Sequence, residues 1–262
     1  METLEKAPAA VSTATPKKST LLATLSLLFY PTGVYRLWAN RYPLWARLLY
    51  TLLGLPLFLL GSVYLSIVVF ALFLPELDMS MGNRTDRTVI NKVGGYATTF
   101  LKTGRETGGA YELIRVELEP QGGNGWHYHK TFDEQFTVAE GEITIGLEDK
   151  ELLLTKGQTA TAPKTKMHFF RNLSSNKTVL IVKTIPARGL EKTIRIGYGL
   201  SNSGQIDANG IPNNPWHMAL LLGYSESYFP VVPPIIQEPL IKGMAKIAQW
   251  RGEDKVLEKY FR

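Results

Sequence analysis

From Leu48 to Leu74 the chain runs for 27 residues without a charged side chain, LLYTLLGLPLFLLGSVYLSIVVFALFL. At a rise of 1.5 Å per residue, a helix of that length reaches about 40 Å, more than the roughly 30 Å hydrocarbon core of a bilayer. The run therefore predicts one tilted transmembrane helix, over residues 48–75, with Pro56 kinking it or marking its entry. A secretory signal is disfavoured, because 47 residues precede the run and its apolar core is too long.

The flanks agree with a single-pass arrangement. Tyr30, Tyr35, Trp38, Tyr42, Trp45 and Tyr50 interleave with Arg36, Arg41 and Arg47, a mixture suited to the lipid–water boundary, so residues 19–47 are expected to form an interfacial segment. Within it, Leu21 to Tyr30 is apolar but too short to span, and Pro31-Thr32-Gly33 closes it; a re-entrant or interfacial piece is expected there. Residues 1–18, rich in Ala, Thr, Pro and Lys, read as a disordered tail.

Charge gives the orientation. Six Lys or Arg stand against two Glu in the first 47 residues, whereas Glu76 and Asp78 follow the run. This favours a cytoplasmic N-terminus and a periplasmic or otherwise extracytoplasmic main domain, although basic residues counted close to the run balance. Most of the net charge of +6 belongs to this N-terminal part. The remainder shows no basic stripe with interleaved aromatics, so nucleic acid is excluded as a partner and anionic lipid is the expected one.

Two short stretches carry the chemistry. The first holds His127, His129 and Glu134, and the second holds Pro163, His168 and Asn172. Residues two apart on a strand share a face, so His127 and His129 can act as cis ligands. Three imidazoles and a carboxylate suit a divalent first-row ion such as Fe, Mn, Ni, Cu or Zn, with positions left for water, dioxygen or substrate. By the same parity Phe136, Val138 and Phe170 line the pocket. Asn172 either approaches the ligands or stabilises a turn. His217, after Asn214-Pro215, sits at a helix start and is expected on a helix surface or in packing. The chain has no cysteine, no Gly-x-Ser-x-Gly and no phosphate-binding glycine loop, which leaves the metal ligands as its one complete constellation.

The spacing resembles the cupin superfamily. Its first motif has His-x-His, four residues, Glu, six residues and Gly, matched by His127, His129, Glu134 and Gly141. Its second has Gly, Pro, His and Asn, matched by Gly157, Pro163, His168 and Asn172. Gln121 stands where the pattern has a glycine upstream of His127, and Thr165 replaces the glycine after Pro163. The short interval between the motifs, Glu142 to Lys156, is similar to that of compact bacterial cupins.

This resemblance implies a mainly β chain with a single cupin β-barrel (jelly roll), and metal ligation by His127, His129, Glu134 and His168. The barrel is placed at residues 96–188, behind a 76–95 connector and before a helical extension at 189–262. Strands are expected at Thr98 to Lys102, Tyr111 to Glu119, Glu134 to Val138, Glu142 to Leu147, Glu151 to Thr155 and Thr178 to Thr184. Helices are expected at Gly189 to Gly204, Pro215 to Tyr224 and Ile235 to Trp250, the last with an Ile236, Leu240, Met244 and Ile247 stripe.

Three functions are compatible with this plan. One is a membrane-anchored, metal-dependent enzyme on a small organic molecule, a dioxygenase or isomerase. The second is a non-catalytic metal- or ligand-binding module, and the third an accessory or scaffold subunit of a membrane-protein complex. The helical extension covers the barrel, forms a homodimer contact or docks on the bilayer.

Overall fold

Pro31 lies in the first turn of a helix, Tyr30–Ala39 (α1), where its missing N–H costs nothing. It opens an element instead of closing one, as the sequence had suggested. A computed structural model describes residues 29–262; the expected tail at 1–18 and most of the Leu21 to Tyr30 segment lie outside the described residues. The chain divides into two units, the first ending at Leu65 and the second comprising Ser66–Arg262.

In the first unit, α1 packs on the start of a long helix, Leu44–Ala71 (α2). Tyr30 stacks on Tyr50 and Phe58 at centroid separations of 5.8 and 5.3 Å, and its hydroxyl donates to the Thr51 carbonyl at 2.8 Å. Gly33 and Gly54 allow this contact, because a Cβ at either would collide with Tyr50 or Tyr30. The helix starts four residues before the chargeless run, ends at Ala71 and continues through Pro56. Its most apolar 18-residue window is 0 % buried.

The second unit is mainly β. The strands are Thr88–Asn91 (β1), Tyr96–Lys102 (β2), Glu112–Leu118 (β3), Tyr128–His129 (β4), Asp133–Glu140 (β5), Glu142–Leu147 (β6), Lys150–Thr155 (β7), Thr159–Ala162 (β8), His168–Arg171 (β9) and Thr178–Ile185 (β10). They form two main antiparallel sheets, ordered β1-β2-β3-β10-β5-β8 and β7-β6-β9, in place of one continuous closed ladder. Alternation sets the core: Ile114, Val116 and Leu118 from β3, Phe136 and Val138 from β5, Ile143 and Ile145 from β6, and Leu180 and Val182 from β10. Gly141 and Gly157, at φ +79° and +85°, make tight turns that other residues adopt only with strain.

β1 lies inside the stretch expected to be a connector. It pairs with β2 from Thr88↔Thr99 to Asn91↔Tyr96, and Leu77, Met79 and Met81 pack on the helices. Segment 76–95 is thus part of the folded unit; its polar composition hid a short edge strand.

The helices after the sheets are Leu190–Asn202 (α3), Pro215–Ser225 (α4), Pro234–Trp250 (α5) and Glu253–Phe261 (α6), with a short strand Ser227–Tyr228 (β11) between α4 and α5. α6 was not foreseen. Ile196, Leu200, Leu220, Tyr224, Ala248, Leu257 and Phe261 form their common core. α3 is fastened to β1 and β2: Asn202 donates to the Ile90 carbonyl at 2.7 Å, and the Tyr198 hydroxyl lies 2.9 Å from that of Thr98. Asn214 caps α4 by accepting from Trp216 N at 2.9 Å. His217, on that helix, is buried 3.6 Å from Glu253, in packing and not on the surface.

Candidate metal centre

Backbone pairing brings the two histidine stretches together. His127 and His168 form an isolated bridge, with His127 N donating to His168 O at 3.0 Å and His168 N donating to His127 O at 2.8 Å. β5 delivers Glu134 in the same inward phase as Phe136 and Val138. The ring centroids of His127, His129 and His168 lie 4.3 to 5.3 Å apart, and one ligand atom from each of the four residues lies within 4.8 Å of the others. Tyr128, between the two histidines, points the other way and stacks on Tyr228 of β11 at 5.2 Å.

Each imidazole is oriented by a backbone carbonyl. Nδ1 of His127 faces Gly125 O at 2.8 Å, Nδ1 of His129 faces Ser225 O at 3.0 Å, and Nδ1 of His168 faces Lys166 O at 2.9 Å. A carbonyl only accepts, so each Nδ1 donates and each Nε2 is left to present a lone pair or a second proton. Two of these Nε2 atoms converge on one Glu134 oxygen, at 3.1 Å from His168 and 3.4 Å from His129.

The four groups are almost wholly buried, which sets their charges. Burial lowers the pKa of His127 to about 4, helped by the facing His168 and His129 rings. Burial also works against the charged form of His168, but the Glu134 carboxylate outweighs it and raises that pKa. Burial alone would raise Glu134, yet the His129 and His168 rings hold it well below the usual carboxylate range. The result is one buried anion ringed by nitrogen donors.

This donor set fits a divalent ion. Donors bound at about 2.1 Å lie at most about 4.2 Å apart, so small side-chain adjustments bring the observed set into a shared coordination sphere. Second-shell carbonyls on every Nδ1 are the usual support for ligating imidazoles.

The family model described as "Cupin domain" matches residues 114–183, the stretch that contains both motifs and the strands carrying them. The Ser66–Arg262 unit carries a cupin domain. The cupin region is 32 % identical over 111 residues to a putative germin-like protein 8-1 of Oryza sativa subsp. japonica, covering 38 % of this chain and 50 % of that protein. It is 29 % identical over 96 residues to quercetin 2,3-dioxygenase of Bacillus subtilis (strain 168), covering 35 % and 27 %. Among solved structures, a cupin-superfamily sugar phosphate isomerase from Silicibacter pomeroyi DSS-3 is 24 % identical, with 42 % of this chain and 75 % of that one covered and a TM-score of 0.32. The chain spans about half the length or less of these two curated relatives.

The remaining expected residues of the cupin site fall as follows. Phe136 is fully buried with its ring 6.1 Å from that of His168, and Phe170 lies 5.6 Å from Phe136. Val138 belongs to the sheet core. Asn172 is occupied elsewhere: its amide donates to the carbonyls of Leu118, Glu119 and Asn176, and its oxygen accepts from Ser174. Asn172 therefore stabilises a turn and is not held toward the ligands.

Sequence reading missed Phe132, whose ring stacks on His129 at 4.2 Å, and Ser225, which holds that histidine from α4. Phe132 had a signal, since it lies between two ligands in the motif. Ser225 had none, because only its backbone acts. Gln121 and Thr165, standing where the cupin pattern has glycine, both take left-handed backbone at φ +67° and +68°.

Proposed function

We propose that this chain is a membrane-tethered cupin that binds one divalent metal through His127, His129, Glu134 and His168 and acts on a small organic molecule. The observation that carries the reading is the tautomer pattern. Three Nδ1–H groups are tied to carbonyls, so the Nε2 atoms face the Glu134 carboxylate as a donor set. A bound metal would supply Lewis acidity or redox chemistry toward a carbonyl, an enol or dioxygen. The protein would hold the ligands in register, exclude water with Phe132, Phe136 and Phe170, and orient an apolar substrate against the site.

The similarity to a quercetin dioxygenase supports oxidative chemistry; isomerisation of a sugar-like substrate fits the same ligand set less well, because the surrounding rings are apolar. The unburied apolar helix α2 supports a bilayer anchor, with the cupin domain on the extracytoplasmic side. A non-catalytic role is the second reading, favoured by the burial of all four ligands.

Metal analysis of the purified full chain, with His127→Ala and His168→Ala beside it, tests the premise. Stoichiometric metal in the wild type and its loss in both variants is expected. No metal in any of the three would end the proposal. Oxygen uptake on a panel of enolic and phenolic compounds, dependent on that metal, then separates catalysis from storage.

A further inference from the structure

α5 is turned the wrong way for a helix of a water-soluble domain. Its buried residues are small or polar: Gln237, Gly243, Ala245, Lys246 and Ala248. Its large apolar stripe, Ile236, Leu240, Met244 and Ile247, is only partly covered, whereas soluble helices bury such a stripe first. The side roughly opposite the stripe carries Glu238, Lys242 and Gln249, and each of these is engaged. Glu238 meets Tyr128 and Lys130, Lys242 pairs with Glu76 at 3.0 Å, and Gln249 bonds the backbone of Glu76 and Asp78. The polar side grips protein and the apolar side faces outward.

The outward side continues into other uncovered apolar groups. Val231 and Ile235, just before and at the start of the helix, are 88 % and 81 % exposed. α5 also lies against the last turns of α2: a Cβ on Gly243 would come 3.0 Å from Ile67, and Trp250 meets Phe70 edge-on at 5.5 Å. Leu72 and Phe73, which follow α2, are exposed as well.

We infer that α5 lies in the interface of the bilayer that α2 crosses, with the Ile236–Leu240–Met244–Ile247 stripe and the turn from Val231 to Ile235 set into the boundary of the acyl region. The inference rests on the reading of α2 as a span. Interfacial helices have this pattern of one engaged polar side and one apolar side, and Trp250 at the C-terminal end is the residue type favoured at headgroup depth. Lipid is chosen over a second protein copy because the uncovered surface adjoins the end of the apolar helix itself.

The chain has no cysteine, so single nitroxide labels can be placed in the full-length protein. Val231→Cys, Ile235→Cys and Leu240→Cys are made with Leu57→Cys in α2 and Asp149→Cys in the β6–β7 turn as references, all in phospholipid nanodiscs. The first two sites are exposed and their replacement removes little packing. Collision with oxygen should exceed collision with a water-soluble nickel chelate at 231, 235 and 240, as at Leu57→Cys and opposite to Asp149→Cys. Nickel access at those three sites beside oxygen access at Leu57→Cys would overturn this inference alone. Nickel access at Leu57→Cys would remove the span and this inference together. Label–label broadening relieved by unlabelled protein would identify a second copy as the occupant and also overturn it.

Discussion

The backbone carbonyl of Ser225 lies 3.0 Å from Nδ1 of His129, so the helical extension orients a residue of the metal centre 96 positions earlier. The contact is held by neighbours on both sides. β11 pairs with β4 through Ser227↔His129 and Tyr228↔Tyr128, and Glu238 of α5 bonds the Tyr128 hydroxyl at 3.0 Å. The extension is therefore part of the site and not an appendage to the sheets.

Loosening this strap should weaken metal binding without removing a ligand. Tyr228→Ala deletes the ring stacked on Tyr128, and a loss of metal affinity of about tenfold is expected, at the low end of outer-shell effects. Chelator competition on the purified chain measures it. Affinity equal to wild type in a folded Tyr228→Ala protein would show that the carbonyl contact does not matter for binding.

A second carboxylate occupies an inward strand position. Glu112 begins β3 in phase with Ile114, Val116 and Leu118; its oxygen accepts from Arg188 N at 3.3 Å and lies 3.4 Å from the Thr184 hydroxyl. Burial pushes its pKa from the ordinary 4.5 up to about 7, more than these contacts lower it. The folded state then holds a proton that the unfolded state has lost between those two values, so stability falls as pH rises through that window. The cost is absent below pH 4.5 and complete above about 7, on the order of 3 kcal/mol. Glu112→Gln should flatten that slope and raise the melting temperature most at pH 8. An unchanged pH profile of melting would show that Glu112 titrates normally.

The metal motifs were legible because ligand chemistry demands particular side chains at particular spacings, and strand parity then places them. His127, His129, Glu134 and His168 meet as the spacing requires, and six of the strands lie where alternation put them, within two residues at each end. What parity cannot show is which contacts use the backbone. Ser225 acts through a carbonyl, and β8, with the sequence TATA, has no large apolar residue to mark it. Asn172 shows the converse limit: its parity was inward, but a buried amide takes the partners nearest to it, and the turn offered five. The outward-facing stripe of α5 was visible as a period, while the side it presents depends on neighbours contributed by residues far away in sequence.

Lys246 ties the end of α2 to α5. It is buried, and its ammonium lies 3.4, 3.2 and 3.0 Å from the Ala71 carbonyl, the Leu74 carbonyl and the Glu76 carboxylate. It satisfies carbonyls that a helix C-terminus leaves open and complements the helix dipole. Lys246→Met should cost about 1–3 kcal/mol by leaving these acceptors unpaired, and speed proteolysis of the segment from Leu74 to Met81. Lys242→Met removes an exposed partner of the same Glu76 and should leave proteolysis unchanged. Equal rates for Lys246→Met and wild type would refute the clamp.

Thr165 follows the Pro163-Lys164 step at φ +68°, and its N–H donates to the His129 carbonyl at 2.7 Å. A β-branched residue in left-handed backbone is strained by about 1–2 kcal/mol, and here the strained turn holds the main chain of a metal-centre residue. Glycine at this position removes the steric penalty but adds about 0.5–1 kcal/mol of backbone entropy on folding. Thr165→Gly should therefore stabilise the chain by less than about 1 kcal/mol, while Thr165→Val, which keeps the branching, should not. Thermal unfolding with and without added metal distinguishes the source of the gain: an equal rise in both states places the strain in the turn alone. A lower melting temperature for Thr165→Gly in both states would mean that the threonine side chain contributes more than its backbone conformation costs.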